Sequence, residues 1–259
     1  MKVLLIGDIM GEPGRRAVLR CLPKLIGQQG IDLVVANAEN AAGGFGITPD
    51  LADELFEVGV SVITTGNHAW DKKEILDYFK TERRLLRPAN YPPGVPGSGA
   101  VIVETPGGEK VAILHLMGRT FLPTIDCPFQ VGQREVARLK QETPAVLVDM
   151  HAEATSEKMA MGYYLDGSVT AVVGTHTHVQ TADEQILPKG TAYITDIGMT
   201  GPIHSVIGIK KEMAIEKFLT QMPRRFEVAG GPAIFCAVLV ELDGRLGKAL
   251  RIERFRLSE

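Results

Sequence analysis

Apolar residues follow two rhythms along the chain. Short runs rich in β-branched residues recur at Val3-Leu4-Leu5-Ile6, Leu33-Val34-Val35-Ala36, Val60-Ser61-Val62-Ile63, Ala145-Val146-Leu147-Val148 and Val169-Thr170-Ala171-Val172-Val173. Such runs, apolar on both faces, predict parallel strands of one sheet covered by helices on each side. Between them the spacing lengthens. Val18, Leu19, Leu22, Leu25 and Ile26 follow Pro13-Gly14 at i, i+3/i+4 intervals, which predicts an amphipathic helix. Thr48-Pro49-Asp50 predicts a helix start, with Thr48 as N-cap and Pro49 at the first position, ahead of Leu51, Leu55 and Phe56. Further helices are expected over 72–80, 131–141, 154–165 and 209–221.

Two stretches read differently. Residues 100–115, turning at Gly107-Gly108, and 233–255, turning at Asp243-Gly244, predict hairpins. They bring antiparallel strands into an α/β fold, either in a larger mixed sheet or in a second one. No Ser/Gly linker, repeat or low-complexity tract divides the chain, so one domain over residues 1–259 is expected.

Composition narrows the function. Lys and Arg total 28 and Asp and Glu 31, a net charge of −3, which argues against an extended nucleic-acid surface built on many phosphate contacts. Phosphate recognition must then be local. Cys21, Cys127 and Cys236 lack short metal-type spacing and no signal-peptide pattern is present, so a reduced, cytoplasmic setting is expected. The longest apolar run, Ala233 to Val240, falls well short of the roughly 18 residues of a membrane span.

The candidate chemistry lies where the strands end. The five runs lead into Gly7-Asp8, Asn37-Ala38-Glu39-Asn40, Gly66-Asn67-His68, Asp149-Met150-His151 and Gly174-Thr175-His176-Thr177-His178. In a parallel sheet these carboxyl ends share one edge, where open α/β folds bind ligands. Each has an ordinary structural explanation alone: Asp8 as a turn cap, Glu39-Asn40 as loop solvation, His68 and His151 as hydrogen-bonded histidines. His176-x-His178 is stronger, because alternate residues of an extended segment point the same way. Four of the six histidines fall in these positions. Carboxylate, carboxamide and imidazole without thiolate suit manganese, iron or zinc. The candidates exceed the roughly four to six ligands of one ion, so two ions sharing a carboxylate fit better, an arrangement that clamps a phosphoryl group and activates a bridging hydroxide. The chemistry points to phosphoester hydrolysis.

With these residues in place, the chain resembles the calcineurin-like metallophosphoesterases, and within them the YmdB-type branch. The motifs span residues 8–178, and the Asn37-Ala38-Glu39-Asn40-Ala41-Ala42-Gly43-Gly44 block extends the likeness. The resemblance implies two mixed β-sheets packed as a sandwich with flanking helices, a four-layer αββα arrangement. It also implies a dinuclear phosphodiesterase acting on small phosphodiesters, 2′,3′-cyclic nucleotides above all, by in-line attack of a metal-bridging hydroxide. Position by position, Glu39 would bridge both ions, Asp8, Asn40 and His178 would complete one site, and Asn67, His151 and His176 the other. His68 would be catalytic, stabilising the transition state and protonating the leaving oxygen. Iron or manganese is implied, with zinc compatible. The wider family carries Asp-x-His in its first motif where this chain has Met10, and a bridging Asp where it has Glu39.

Other readings fit less of the pattern. A dinucleotide-dependent oxidoreductase would need G-x-G-x-x-G, but the glycines stand at Gly7, Gly11 and Gly14. A general phosphomonoesterase and a metal- or nucleotide-binding regulator are the alternatives, and homo-oligomerisation stays open. His115 and His204 read as structural or supporting, Gly43-Gly44-Phe45-Gly46 as a phosphate-approaching loop or a plain turn, and Asp196 as a rim residue.

Overall fold

A strand whose residues alternate between two apolar environments needs cover on both faces. In the computed structural model, which describes residues 1–259, that cover is a helix layer on one side and a second sheet on the other. The chain enters through β1 (Lys2–Ile6), β2 (Asp8–Ile9), α1 (Gly11–Gln29), β3 (Leu33–Asn37), α2 (Pro49–Glu57), β4 (Val62–Thr64), α3 (Ile75–Thr81) and β5 (Leu85–Leu86). It continues through β6 (Ala100–Glu104), β7 (Lys110–Met117), α4 (Pro128–Leu139), β8 (Val146–His151), α5 (Thr155–Leu165), β9 (Ala171–Thr175), β10 (Gln185–Ile186) and β11 (Ala192–Ile194). It closes with β12 (Met199–Pro202), α6 (Lys211–Thr220), β13 (Ala233–Asp243) and β14 (Lys248–Ser258).

The first sheet runs β2-β12-β13-β1-β3-β4-β5, with β14 paired to β13, and the second runs β10-β11-β9-β8-β7-β6. Strands β1, β3 and β4 are parallel, while β13 runs antiparallel beside β1. In the second sheet β7, β8 and β9 are parallel and β6 returns antiparallel. Both hairpins form where the sequence places them, one in each sheet. The single sheet covered by helices on both sides does not form: the five β-branched runs divide between two sheets. Val3, Leu5 and Val35 meet Ile113, Leu147 and Val173 in the seam between the sheets. Leu4 and Ile6, on the opposite face, pack with Val18, Leu22 and Leu25 of α1. Leu114 and Val148 pack under α4 and α5 against Val136, Leu139, Met161 and Leu165. Burying each such side chain contributes roughly 1.5–3 kcal/mol, so all three interfaces are strongly specified.

Thr48 occupies the N-cap of α2 and Pro49 its first turn, but the Thr48 hydroxyl makes no capping bond. No helix is long and apolar enough to cross a membrane.

Candidate metal centre

The carboxyl ends of β1, β3 and β4 in one sheet open toward those of β8 and β9 in the other, and loops from both close on one point. Asp8 follows β1 through Gly7, Glu39 and Asn40 follow β3, and Asn67 and His68 follow β4. His151 ends β8, and His176 and His178 follow β9. Crowding explains the glycine before Asn67: a Cβ at Gly66 would lie 2.3 Å from both Glu39 Oε2 and His151 Nε2. The two histidines of the last motif converge by a bent path rather than by strand alternation, since His176 has φ +97° and His178 φ +65°. Non-glycine residues adopt this region only under constraint. Asp196 supplies it, accepting bonds from the Thr177 amide (3.1 Å), the Thr177 hydroxyl (2.6 Å) and the Lys158 ammonium (2.6 Å). Lys158 and Asp196 are both fully buried, so the loop rests on an ion pair that solvent cannot screen.

The ligand-type side chains form two groups that share one carboxylate. Around His151 Nε2 lie Asn67 Oδ1 at 3.0 Å, Glu39 Oε1 at 3.1 Å and His176 Nδ1 at 3.1 Å. On the other side Asn40 Nδ2 stands 3.1 Å from His178 Nε2 and 3.5 Å from Glu39 Oε1, with Asp8 Oδ1 3.8 Å from His178 Nε2. Glu39, His151 and His176 each offer a ligand atom within 4.8 Å of the others.

Outer hydrogen bonds fix the ring orientations. Thr175 gives its one hydroxyl proton to Asp149 Oδ1 (2.7 Å), so toward His151 Nδ1 (2.9 Å) it can only accept. Asp149 also accepts from Thr64 of the opposite sheet. Likewise the Ile207 carbonyl accepts from His178 Nδ1 (2.8 Å), and the Glu153 carboxylate lies 3.1 Å from His176 Nε2. Each imidazole thus commits its outward nitrogen as a donor and turns the other inward, the tautomers that metal-binding histidines use. Asp8 Oδ1, fully buried, has no hydrogen-bond partner. An orphaned carboxylate oxygen and inward nitrogens are what divalent ions would satisfy, so the residues fit a metal site.

Charge in the metal-free protein tells the same story. Burial raises the Asp8 carboxyl to about 6 despite His178 and His151 nearby. For Glu39 burial also works upward, but His151 and the His68 amide outweigh it and hold the carboxyl below its usual range. Burial lowers His151, yet Glu39 prevails and lifts it to about 9. His176, buried beside that charged ring, falls to about 3. A proton on His151 thus occupies the gap that a cation would take.

All eight residues singled out in the sequence, Asp8, Glu39, Asn40, Asn67, His68, His151, His176 and His178, meet here. Above them opens a cleft of about 270 Å³ bordered by His68, Glu153, Phe45, Ile207, Ile209 and Phe226. His68 bonds Asp71 through Nδ1 (2.8 Å), sets its ring edge-on to Phe45 and donates its amide to Glu39 Oε2 (3.1 Å). Met10 borders the cleft as well. His115 lies fully buried behind Asp149 and is pushed down by that burial, and His204 is exposed on the 203–209 segment. Gly44 donates its amide to the Asn40 carbonyl (3.1 Å), which places a turn in the Gly43–Gly46 segment at the cleft's border. Asp196 is no rim residue: it is the buried anchor of the histidine loop. Glu153, Asp71, Thr175 and Ile207 do not stand out from the sequence alone. Only Glu153 and Asp71 carry a signal there, each a carboxylate two or three residues past a candidate histidine.

Comparison with known proteins extends the geometry. A 2′,3′-cyclic-nucleotide 2′-phosphodiesterase of Bacillus subtilis is 47% identical over 259 residues, covering 100% of this chain and 98% of that protein. The crystal structure of a hypothetical protein from Thermus thermophilus superposes with a TM-score of 0.94 at 46% identity, covering 100% of both chains. That of a novel phosphatase from Mycoplasma pneumoniae gives 0.93 at 37% identity, over 100% of this chain and 93% of the other. The model of the YmdB-like proteins matches residues 4–255, and the chain belongs to that family.

Proposed function

We propose that this chain is a phosphodiesterase of small phosphodiesters, 2′,3′-cyclic nucleotides foremost, working with two divalent ions in the cleft. The observation that carries the reading is the convergence of seven ligand-type side chains from two sheets on one buried point, with His68 at its rim. Glu39 touches both groups and is suited to bridge. Asp8, Asn40 and His178 would hold one ion, and Asn67, His151 and His176 the other. This oxygen and nitrogen set suits iron or manganese and accommodates zinc. When bound, the ions supply a water of lowered pKa and a positive clamp for the phosphoryl oxygens.

The chain's own groups do the rest. Asp71 holds Nδ1–H of His68, leaving Nε2 as the nitrogen free for substrate. As the imidazolium, with a second proton on Nε2, His68 protonates the departing oxygen. Phe45, Ile207, Ile209 and Phe226 give the cleft an apolar wall on which a nucleobase packs without base-specific hydrogen bonds. The Bacillus subtilis relative, named for 2′,3′-cyclic nucleotides, supports this substrate class.

The test is a turnover screen of the Mn²⁺- or Fe²⁺-loaded protein against 2′,3′- and 3′,5′-cyclic nucleotides, a phosphomonoester and short RNA. Preferred cleavage of 2′,3′-cyclic nucleotides supports the reading. Preference for the monoester replaces it with a general phosphomonoesterase, and metal binding without turnover with a regulatory role.

A further inference from the structure

The cleft's wall contains one ionisable group that the proposed chemistry leaves unused. Glu153 is two residues past the end of β8, with its side chain 48% exposed and Oε2 held 3.1 Å from His176 Nε2. It borders the cleft directly, and no Lys or Arg shares that border. Lys158 is buried against Asp196, and Arg254, paired with Glu184, and Arg256 border the neighbouring cavity beyond His178 and Ile207 rather than the cleft. The carboxylate is therefore a negative charge, fixed by its own hydrogen bond at the mouth of the site, that no Lys or Arg of the cleft offsets.

Such a charge discriminates between esters. A phosphodiester carries one negative charge near neutral pH, whereas a phosphomonoester carries nearly two, its second ionisation lying at about pH 6. In this cleft the second unit of charge meets a wall group of its own sign. We propose that Glu153 is a specificity-determining residue that makes the cleft favour monoanionic diesters over dianionic monoesters. The inference rests on the phosphodiesterase reading above and gives its substrate preference a physical cause.

The size of the effect follows from Coulomb's law. One unit of charge about 7 Å from the carboxylate, at an effective dielectric of about 40 for a half-hydrated cleft, is disfavoured by about tenfold. Both esters feel Glu153, but the monoester feels it for one charge more. Salt screens such a term over about 8–10 Å at physiological strength. The diester preference is thus expected to narrow as ionic strength rises.

Glu153→Gln is the discriminating change, because glutamine keeps an acceptor for His176 and removes only the charge. The ratio of kcat/KM for a 2′,3′-cyclic nucleotide to that for the matching 3′-monophosphate is expected to fall about tenfold, with metal content by mass spectrometry still equal to wild type. Calorimetry on the Mn²⁺-loaded proteins, using inorganic phosphate as probe, is expected to give about tenfold or more tighter binding to the variant. A ratio and a phosphate affinity that both stay within twofold of wild type overturn the proposal. So does a parallel loss of both activities together with metal, which would make Glu153 an orienter of His176 alone. A wild-type protein inactive on every ester refutes the phosphodiesterase reading instead, and the phosphate calorimetry then still decides the role of the Glu153 charge.

Discussion

His151 Nε2 and His176 Nδ1 face each other across 3.1 Å at the floor of the cleft. The opposite nitrogen of each ring is committed as a donor, to Thr175 and to Glu153 respectively. The space between them holds one proton or a cation, so proton and metal compete for the same place.

Metal should stabilise the fold measurably. At free Mn²⁺ about a hundredfold above its dissociation constant, binding contributes about 2.7 kcal/mol. For a chain of this size that raises Tm by roughly 5–10 °C. Scanning calorimetry of chelated and reloaded protein checks it, and an unmoved transition would refute a site formed only on folding.

Glu39→Ala removes the one carboxylate common to both ligand groups. The variant is expected to hold fewer than two ions per chain by mass spectrometry. Retention of two would rule out a bridging Glu39.

His68→Ala should leave metal content intact and cut phosphodiester turnover by about two orders of magnitude or more, the scale of a lost acid catalyst. Asp71→Asn, which weakens the hold on Nδ1, should give a smaller loss with a displaced pH profile. Full activity in His68→Ala would remove His68 from the mechanism.

Thr175→Val keeps the side chain's volume but breaks the contact between Asp149 and His151. Outer partners of this kind usually change metal affinity by about 10- to 100-fold. Calorimetric titration with Mn²⁺ should show a weakening on that scale. An unchanged affinity would mean that packing alone orients the His151 ring.

The metal-free protein should lose stability as pH rises through the alkaline range. Against the opposing effect of burial, Glu39 lifts His151 from 6.5 to about 9, so the stabilisation is complete below 6.5 and disappears as pH climbs through about 9. Asp8, raised to about 6, is already ionised throughout the upper part of that window. Urea midpoints of chelated protein should therefore fall from about pH 7 to about pH 9. A flat profile would contradict the Glu39–His151 pairing, and metal-loaded protein, with the proton displaced, should lack this slope.

The candidate site and the architecture were legible in the sequence in different ways. Strand-end residues such as Glu39, His151 and His178 announce themselves because a polar group directly after an apolar β-branched run has few other uses. Two sheets were not legible from the runs themselves. Val3 and Leu5 face another sheet while Leu4 and Ile6 face a helix, and both environments demand the same apolar side chains. Strands β2, β5, β10 and β12 are too short to leave a period. Thr175 and Ile207 act on the histidines through partners distant in sequence, and such contacts leave no local pattern. Lys158 is hidden for a related reason: a lysine on a helix reads as solvent-facing until Asp196 is found beneath it.

The pairing of the first strands has a consequence for biosynthesis. Asp8 is aligned by Met199 in β12, Gly7 donates to the Cys236 carbonyl in β13, and β1 pairs with β13 itself. The first candidate ligand to leave the ribosome is therefore among the last to be seated. A nascent chain that has made every histidine of the site but not β13 lacks the strand that locks Asp8 in place. Capture of an ion by the Asp8 side is thus tied to the presence of β13, and a chain cut short before that strand is expected to fail to retain both ions.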